Sequence, residues 1–256
     1  MKMSTEKPTH DESEAGVPLV RNRREFLRWS GMGAVALAVA GCDRERTRTI
    51  TEVRTDTVQL QPPAPPTFAA VTLDFGTDFG ILNYAYALEQ FEAAFFTQVL
   101  ATPYAGITTE ERRVLTDLRD HEVIHRQFYA AAIPALGGTA IPGLTPNFTS
   151  INFNSRLSVL TAARNFEDLG VGAYNGAGQF LRSATLLGIA GKIVSVEARH
   201  ASAVRDLLNR GSRDFAPRDF DDALRPQEVL ATAQPFIRNS ISVTNVPPFV
   251  TTNIAA

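Results

Sequence analysis

The chain has a single cysteine, Cys42, among its 256 residues. An intramolecular disulfide is therefore excluded, and metal or redox chemistry must rest on oxygen and nitrogen ligands. An excess of charge of either sign is also missing: 25 Lys and Arg stand against 27 Asp and Glu, a formal net charge of -2. That balance gives no reason to expect a nucleic acid or an acidic substrate as partner. The apolar and small run from Trp29 to Ala40 is shorter than the roughly 20 residues of a permanent membrane-spanning helix. Histidine is scarce too, at four residues, and three of these (His121, His125, His200) fall beside glutamates in helical sequence. With 44% hydrophobic residues, the length suits one well-buried domain with appendages.

Residues 1–20 are polar and without period, and they lead into Arg21-Asn22-Arg23-Arg24-Glu25-Phe26-Leu27-Arg28. The Arg23-Arg24 pair followed by Phe26-Leu27 resembles a twin-arginine export signal, with Trp29 to Ala40 as the signal-peptide core. Val39-Ala40-Gly41-Cys42 resembles a bacterial lipobox, in which cleavage precedes the cysteine and its sulfur takes a lipid. Residues 1–42 are thus expected to be a signal peptide with lipobox. The protein would be exported by the twin-arginine pathway and anchored through lipidated Cys42, in the periplasm or otherwise outside the cytoplasm. Asp43 resembles the signal that retains lipoproteins at an inner membrane. The alternative is a cytosolic chain with a basic arm and an incidental cysteine. Residues 43–70, ending their polar stretch in Pro62-Pro63-Ala64-Pro65-Pro66, predict a tether, since clustered prolines keep a chain extended.

Beyond Asp78 the pattern turns helical. Ile81, Leu82, Ala85, Leu88, Phe91, Phe95 and Val99 recur at three- and four-residue spacing until Pro103 and Gly106, predicting a first helix over 77–101. Thr108 or Thr109 with Glu110 and Glu111 behind it starts a second, which continues to Leu136-Gly137-Gly138. Residues 137–153 hold Gly, Pro, Asn and Thr without period and predict a long connection. A third helix is expected over 155–181 and a fourth over 183–209, stopped by Gly211. Gly170, Gly172, Gly176 and Gly178 weaken the third by up to about 1 kcal/mol each relative to Ala; they predict close approach of a neighbouring helix, with a strand over 171–180 as the competing assignment. The domain is expected over 71–211 and a C-terminal extension over 212–256, with a short helix in 226–239 and an irregular tail at Pro247-Pro248.

The second helix carries Glu122-Val123-Ile124-His125 and the fourth carries Glu197-Ala198-Arg199-His200. At i and i+3 each glutamate and histidine share one helix face. The first and third helices supply Glu89 and Glu167 at similar intervals ahead of these pairs. Phe96 follows Glu89 by seven residues and Tyr174 follows Glu167 by seven, so the chain repeats one helical hairpin. Two multivalent ions need several carboxylates to offset their charge, and a bundle core supplies them without open loops. Glutamates facing the core would need such an explanation, because buried charge is costly unless paired or metal-bound; glutamates facing solvent would need none.

Leu88-Glu89-Gln90-Phe91-Glu92, Asp120-His121-Glu122-Val123-Ile124-His125, Phe166-Glu167-Asp168-Leu169-Gly170-Val171-Gly172-Ala173-Tyr174 and Glu197-Ala198-Arg199-His200 resemble the ferritin-like superfamily, in particular its exported and desiccation-associated branch. The resemblance spans residues 77–210. It implies an all-α fold, an antiparallel four-helix bundle with a long crossover from the second to the third helix. It implies two iron ions, or manganese, held by Glu89, Glu122, His125, Glu167, Glu197 and His200, with Glu122 and Glu197 bridging and Glu92 as the alternative to Glu89. It further implies a di-metal oxidoreductase, ferroxidase or peroxidase-like, acting on oxygen, peroxide or ferrous iron. A lipid tether and a C-terminal extension argue against a closed storage cage, while a homodimer is compatible with both.

Two other functions fit parts of the sequence. His121-Glu122-Val123-Ile124-His125 is a literal H-E-x-x-H, the zinc peptidase motif, but that reading leaves Glu197 and His200 unexplained. The other is a metal-free helical protein of stress protection or binding. His121 is expected to point away from the ligand face, solvated or supporting a ligand, and Tyr174 is expected to be core packing.

Overall fold

The computed structural model describes residues 67–250. The expected signal peptide with Cys42 and most of the expected tether lie outside them. Each long helix begins at a hydroxyl cap that satisfies donors the first turn leaves without partners. Thr77 accepts the Gly80 N–H ahead of α1 (Asp78–Ala101). Ahead of α2 (Thr109–Ala135), the Thr108 hydroxyl and the Glu111 carboxylate accept from each other's backbone N–H, a capping box. Ser155 and Ser183 cap α3 (Arg156–Gly178) and α4 (Ala184–Leu208). Residues 171–178 are helical, which disposes of the strand alternative. α3 stops short of the expected Leu181, because Phe180 and Leu181 turn back to donate to the carbonyls of Ala177 and Gly178. The short C-terminal helix α5 covers Pro226–Ala233 and tightens into a 3-10 turn, Gln234–Phe236.

α1 packs along α2 and α3 along α4, and the two hairpins meet through α1 with α3 and α2 with α4. This is the antiparallel four-helix bundle with a long crossover between α2 and α3. α1 is buried nearly all round, which marks a central helix. Its outer side is covered by the crossover, clamped by two buried amides two turns apart. Asn83 donates to the Thr139 carbonyl at 2.9 Å and accepts from Ile141 N at 2.8 Å, while the Gln90 side-chain oxygen accepts from Leu144 N at 2.8 Å. Phe91, Phe148, Phe166 and Phe236 then bind α1, crossover, α3 and C-terminal extension into one aromatic cluster, with Phe91 and Phe166 rings 4.5 Å apart.

Two features depart from the sequence expectation. A parallel ribbon of β1 (Val71–Asp74) and β2 (Ile241–Thr244) joins the two ends of the domain. Its pairing is between segments remote in sequence, so no local pattern announces it. The glycines of α3 also do not all face a neighbouring helix. Gly172 and Gly176 lie under the C-terminal extension: Leu224 N donates to Gly172 O at 2.9 Å, and a Cβ at Gly176 would lie 1.8 Å from the Leu224 carbonyl oxygen. Among the described residues, no helix is long and apolar enough to cross a membrane.

Candidate metal centre

The middle of the bundle collects the six residues expected as ligands. Glu89 comes from α1, Glu122 and His125 from α2, Glu167 from α3, and Glu197 and His200 from α4; the four carboxylates are 0% exposed. They form two overlapping groups whose ligand atoms lie within 4.8 Å of one another: Glu89, Glu122, His125 and Glu197, then Glu122, Glu167, Glu197 and His200. Glu122 and Glu197 belong to both. His125 Nδ1 lies 2.9 Å from Glu197 Oε1, 3.4 Å from Glu89 Oε2 and 3.8 Å from Glu122 Oε2. His200 Nδ1 repeats the arrangement at 2.8 Å from Glu122 Oε1, 3.4 Å from Glu167 Oε2 and 3.8 Å from Glu197 Oε2. The internal repeat of the sequence is thus a near-twofold symmetry of the site.

These atoms converge without hydrogen-bond geometry. Both oxygens of Glu122, Glu167 and Glu197, Oε2 of Glu89 and Nδ1 of both imidazoles are buried and have no hydrogen-bond partner among the described residues. An unsatisfied buried polar group costs about 1–3 kcal/mol, and more when charged, so this many together fit a cation at the point they share. Their crowding also distorts their charges. Burial drives the carboxyl groups of Glu89 and Glu167 well above their ordinary range. Burial also opposes the charge on Glu122, yet the two imidazoles beside it hold its carboxyl down at about 2. Against the same desolvation, the surrounding carboxylates push His125 and His200 up to about 12.

Residues 77–210, just over half of the chain, match the ferritin-like domain family. The chain belongs to that family. No curated protein matches it. Family membership and the buried cluster agree on a ferritin-like bundle with residues that fit a metal site.

Three neighbours complete this ferritin-like centre. His121 is in neither ligand group; its Nδ1 lies 2.9 Å from His200 Nε2, the two rings nearly parallel. It therefore lies against the His200 ring, and it shares neither group with His125. Tyr174 is packed in the core as expected, but its hydroxyl also donates to Glu89 Oε1 and lies 3.0 Å from the Tyr129 hydroxyl. Tyr129 escaped the sequence analysis, although the seven-residue offset that relates Tyr174 to Glu167 also relates it to Glu122. A small apolar cavity of about 20 Å³, lined in part by Ile81, Ala85, Leu88, Tyr129 and Tyr174, adjoins this end of the site. Glu92 is the third neighbour: it is buried as Glu89 is, but Glu89 belongs to one of the two groups and Glu92 to neither.

Proposed function

We propose that the chain holds two iron or manganese ions and uses them for redox chemistry with oxygen or peroxide, as ferrous oxidation or peroxide removal. The observation that carries this is the pair of overlapping groups, each an imidazole facing three carboxylates, in which Glu122 and Glu197 turn one oxygen toward each imidazole. Such a pair of ions would supply redox chemistry toward a small oxidant at a single site. The buried carboxylates would offset the charge, Glu122 and Glu197 would serve both positions, and the bundle core would exclude bulk water. Tyr174 keeps a proton at its hydroxyl against Glu89 and fixes that carboxylate's orientation. His121 does the same for the His200 ring, the kind of outer support that tunes a metal. The apolar cavity beside Tyr129 and Tyr174 offers room for a small neutral molecule.

The proposal extends to location: export through the Arg23-Arg24 signal and a lipid anchor at Cys42, placing the chemistry outside the cytoplasm. Changing Arg23 and Arg24 to lysine should leave the protein in the cytoplasm of a bacterial host with twin-arginine export, and Cys42→Ala should release it from membranes. Unchanged fractionation in both variants would overturn the localisation.

Metal analysis of the purified full chain, beside a variant with His125 and His200 both changed to alanine, tests the centre. About two iron or manganese ions per chain, lost in the variant, is the expected result. About one zinc, sensitive to His125 but not to His200, would favour a peptidase. No metal after reconstitution would leave a structural or binding role.

A further inference from the structure

We propose that Glu92 is a seventh ligand of the metal centre and its fifth carboxylate, serving the position of Glu167 and His200 and making the two metal positions unequal. The proposal rests on the di-metal reading above and concerns how this chain breaks the symmetry of its site. The hairpin repeat that pairs Glu89 with Glu167 pairs Glu92 with Gly170, so one half of the repeat has a carboxylate where the other has no side chain. The two positions also meet in space. A Cβ at Gly170 would lie 2.9 Å from Glu92 Oε1, 3.6 Å from Glu92 Oε2 and 3.7 Å from Glu197 Oε2. Glu92 thus reaches across from α1 into room that α3 leaves empty, beside the Glu197 oxygen that lies 3.8 Å from His200 Nδ1.

Nothing else among the described residues accounts for an acid at this place. Glu92 is 2% exposed, and among the described residues its Oε2 has no hydrogen-bond partner and no arginine or lysine pairs with it. The charged groups that bear on it most strongly are the other four glutamates of the site. As mere packing, an apolar side chain would fill the same volume without the desolvation cost of a carboxyl group. As a ligand it adds an oxygen donor on the Gly170 side. Five carboxylates and two neutral imidazoles suit a pair of ions of higher total charge better than four carboxylates do.

The test is calorimetric titration of manganese(II) into the metal-free full chain, with Glu92→Gln and Gly170→Ala alongside. Glutamine keeps the volume of the side chain but cannot be anionic, so the melting temperature of the metal-free variant reports separately on folding. The wild type is expected to bind two ions in two unequal steps. Glu92→Gln should weaken one step on the order of 10–100-fold, the range typical for loss of a supporting metal-site group, and leave the other unchanged. Gly170→Ala, by pushing Glu92 aside, should weaken the same step. Wild-type affinities in both variants, or equal weakening of both steps, would overturn the proposal while leaving the di-metal site standing. A wild type that binds no metal would overturn both.

Discussion

Glu122 makes its closest approach to His200, at 2.8 Å on the opposite hairpin, and not to His125, one turn along its own helix at 3.8 Å. Glu197 mirrors this by approaching His125 at 2.9 Å and His200 at 3.8 Å. Each glutamate thus lies nearest the histidine of the opposite hairpin, so the two hairpins meet by exchange at the site. Glu122→Gln should remove a carboxylate from both positions, lowering bound metal below one ion per chain, whereas Glu89→Gln should cost chiefly the His125 position and leave about one. Metal-to-protein ratios after dialysis distinguish the two outcomes.

Acidity follows from the same cage. His125 and His200 are pushed from 6.5 up to about 12, so the folded metal-free protein binds more protons than the unfolded chain above pH 6.5. Their stabilisation is complete below that value and fades as pH rises toward 12. The raised carboxyl groups of Glu89, Glu92 and Glu167 act in the same direction above 4.5; only Glu122, held at about 2, loses its contribution toward acid. The melting temperature of the metal-free protein should therefore fall between pH 6.5 and 9. The rise caused by added metal should grow over the same interval, because the ions displace these protons. A flat profile for the metal-free protein would contradict this.

His121 supports His200 through the nitrogen opposite the one that faces the carboxylates. An imidazole that binds through Nδ1 carries its proton on Nε2 and donates it to such a neighbour. His121→Ala should weaken metal binding on the order of 10–100-fold at one position, with the fold and the second position intact. His121→Asn, whose amide oxygen can accept, should recover part of the loss. Titration calorimetry on the three proteins gives the comparison.

Packing of the C-terminal extension predicts opposite outcomes for two helical glycines. Gly176→Ala drives a Cβ into the Leu224 carbonyl at 1.8 Å and should destabilise by about 1–3 kcal/mol or more. Gly188, in α4, has nothing among the described residues within 4 Å of its would-be Cβ, and Gly188→Ala should stabilise by up to about 1 kcal/mol through helix propensity. Urea denaturation of each variant reads both effects.

The sequence alone determined the helices and the chemistry they carry. Apolar spacing, hydroxyl caps and glycine stops are local signals, so the bounds of the four helices were legible to within about three residues. The two Glu-x-x-His pairs and the hairpin repeat likewise placed six side chains on common faces. Tertiary structure decided the rest, because it depends on which segments meet. Only packing put Glu92 and Gly170 opposite each other, His121 against His200, and Tyr174 with Tyr129 on Glu89. The same holds for the cover over Gly172 and Gly176, supplied by Leu224, and for the ribbon of Val71–Asp74 with Ile241–Thr244. Periodicity reports which face of a helix is buried; it does not carry the identity of the neighbour, which is set by contacts between residues far apart in the chain.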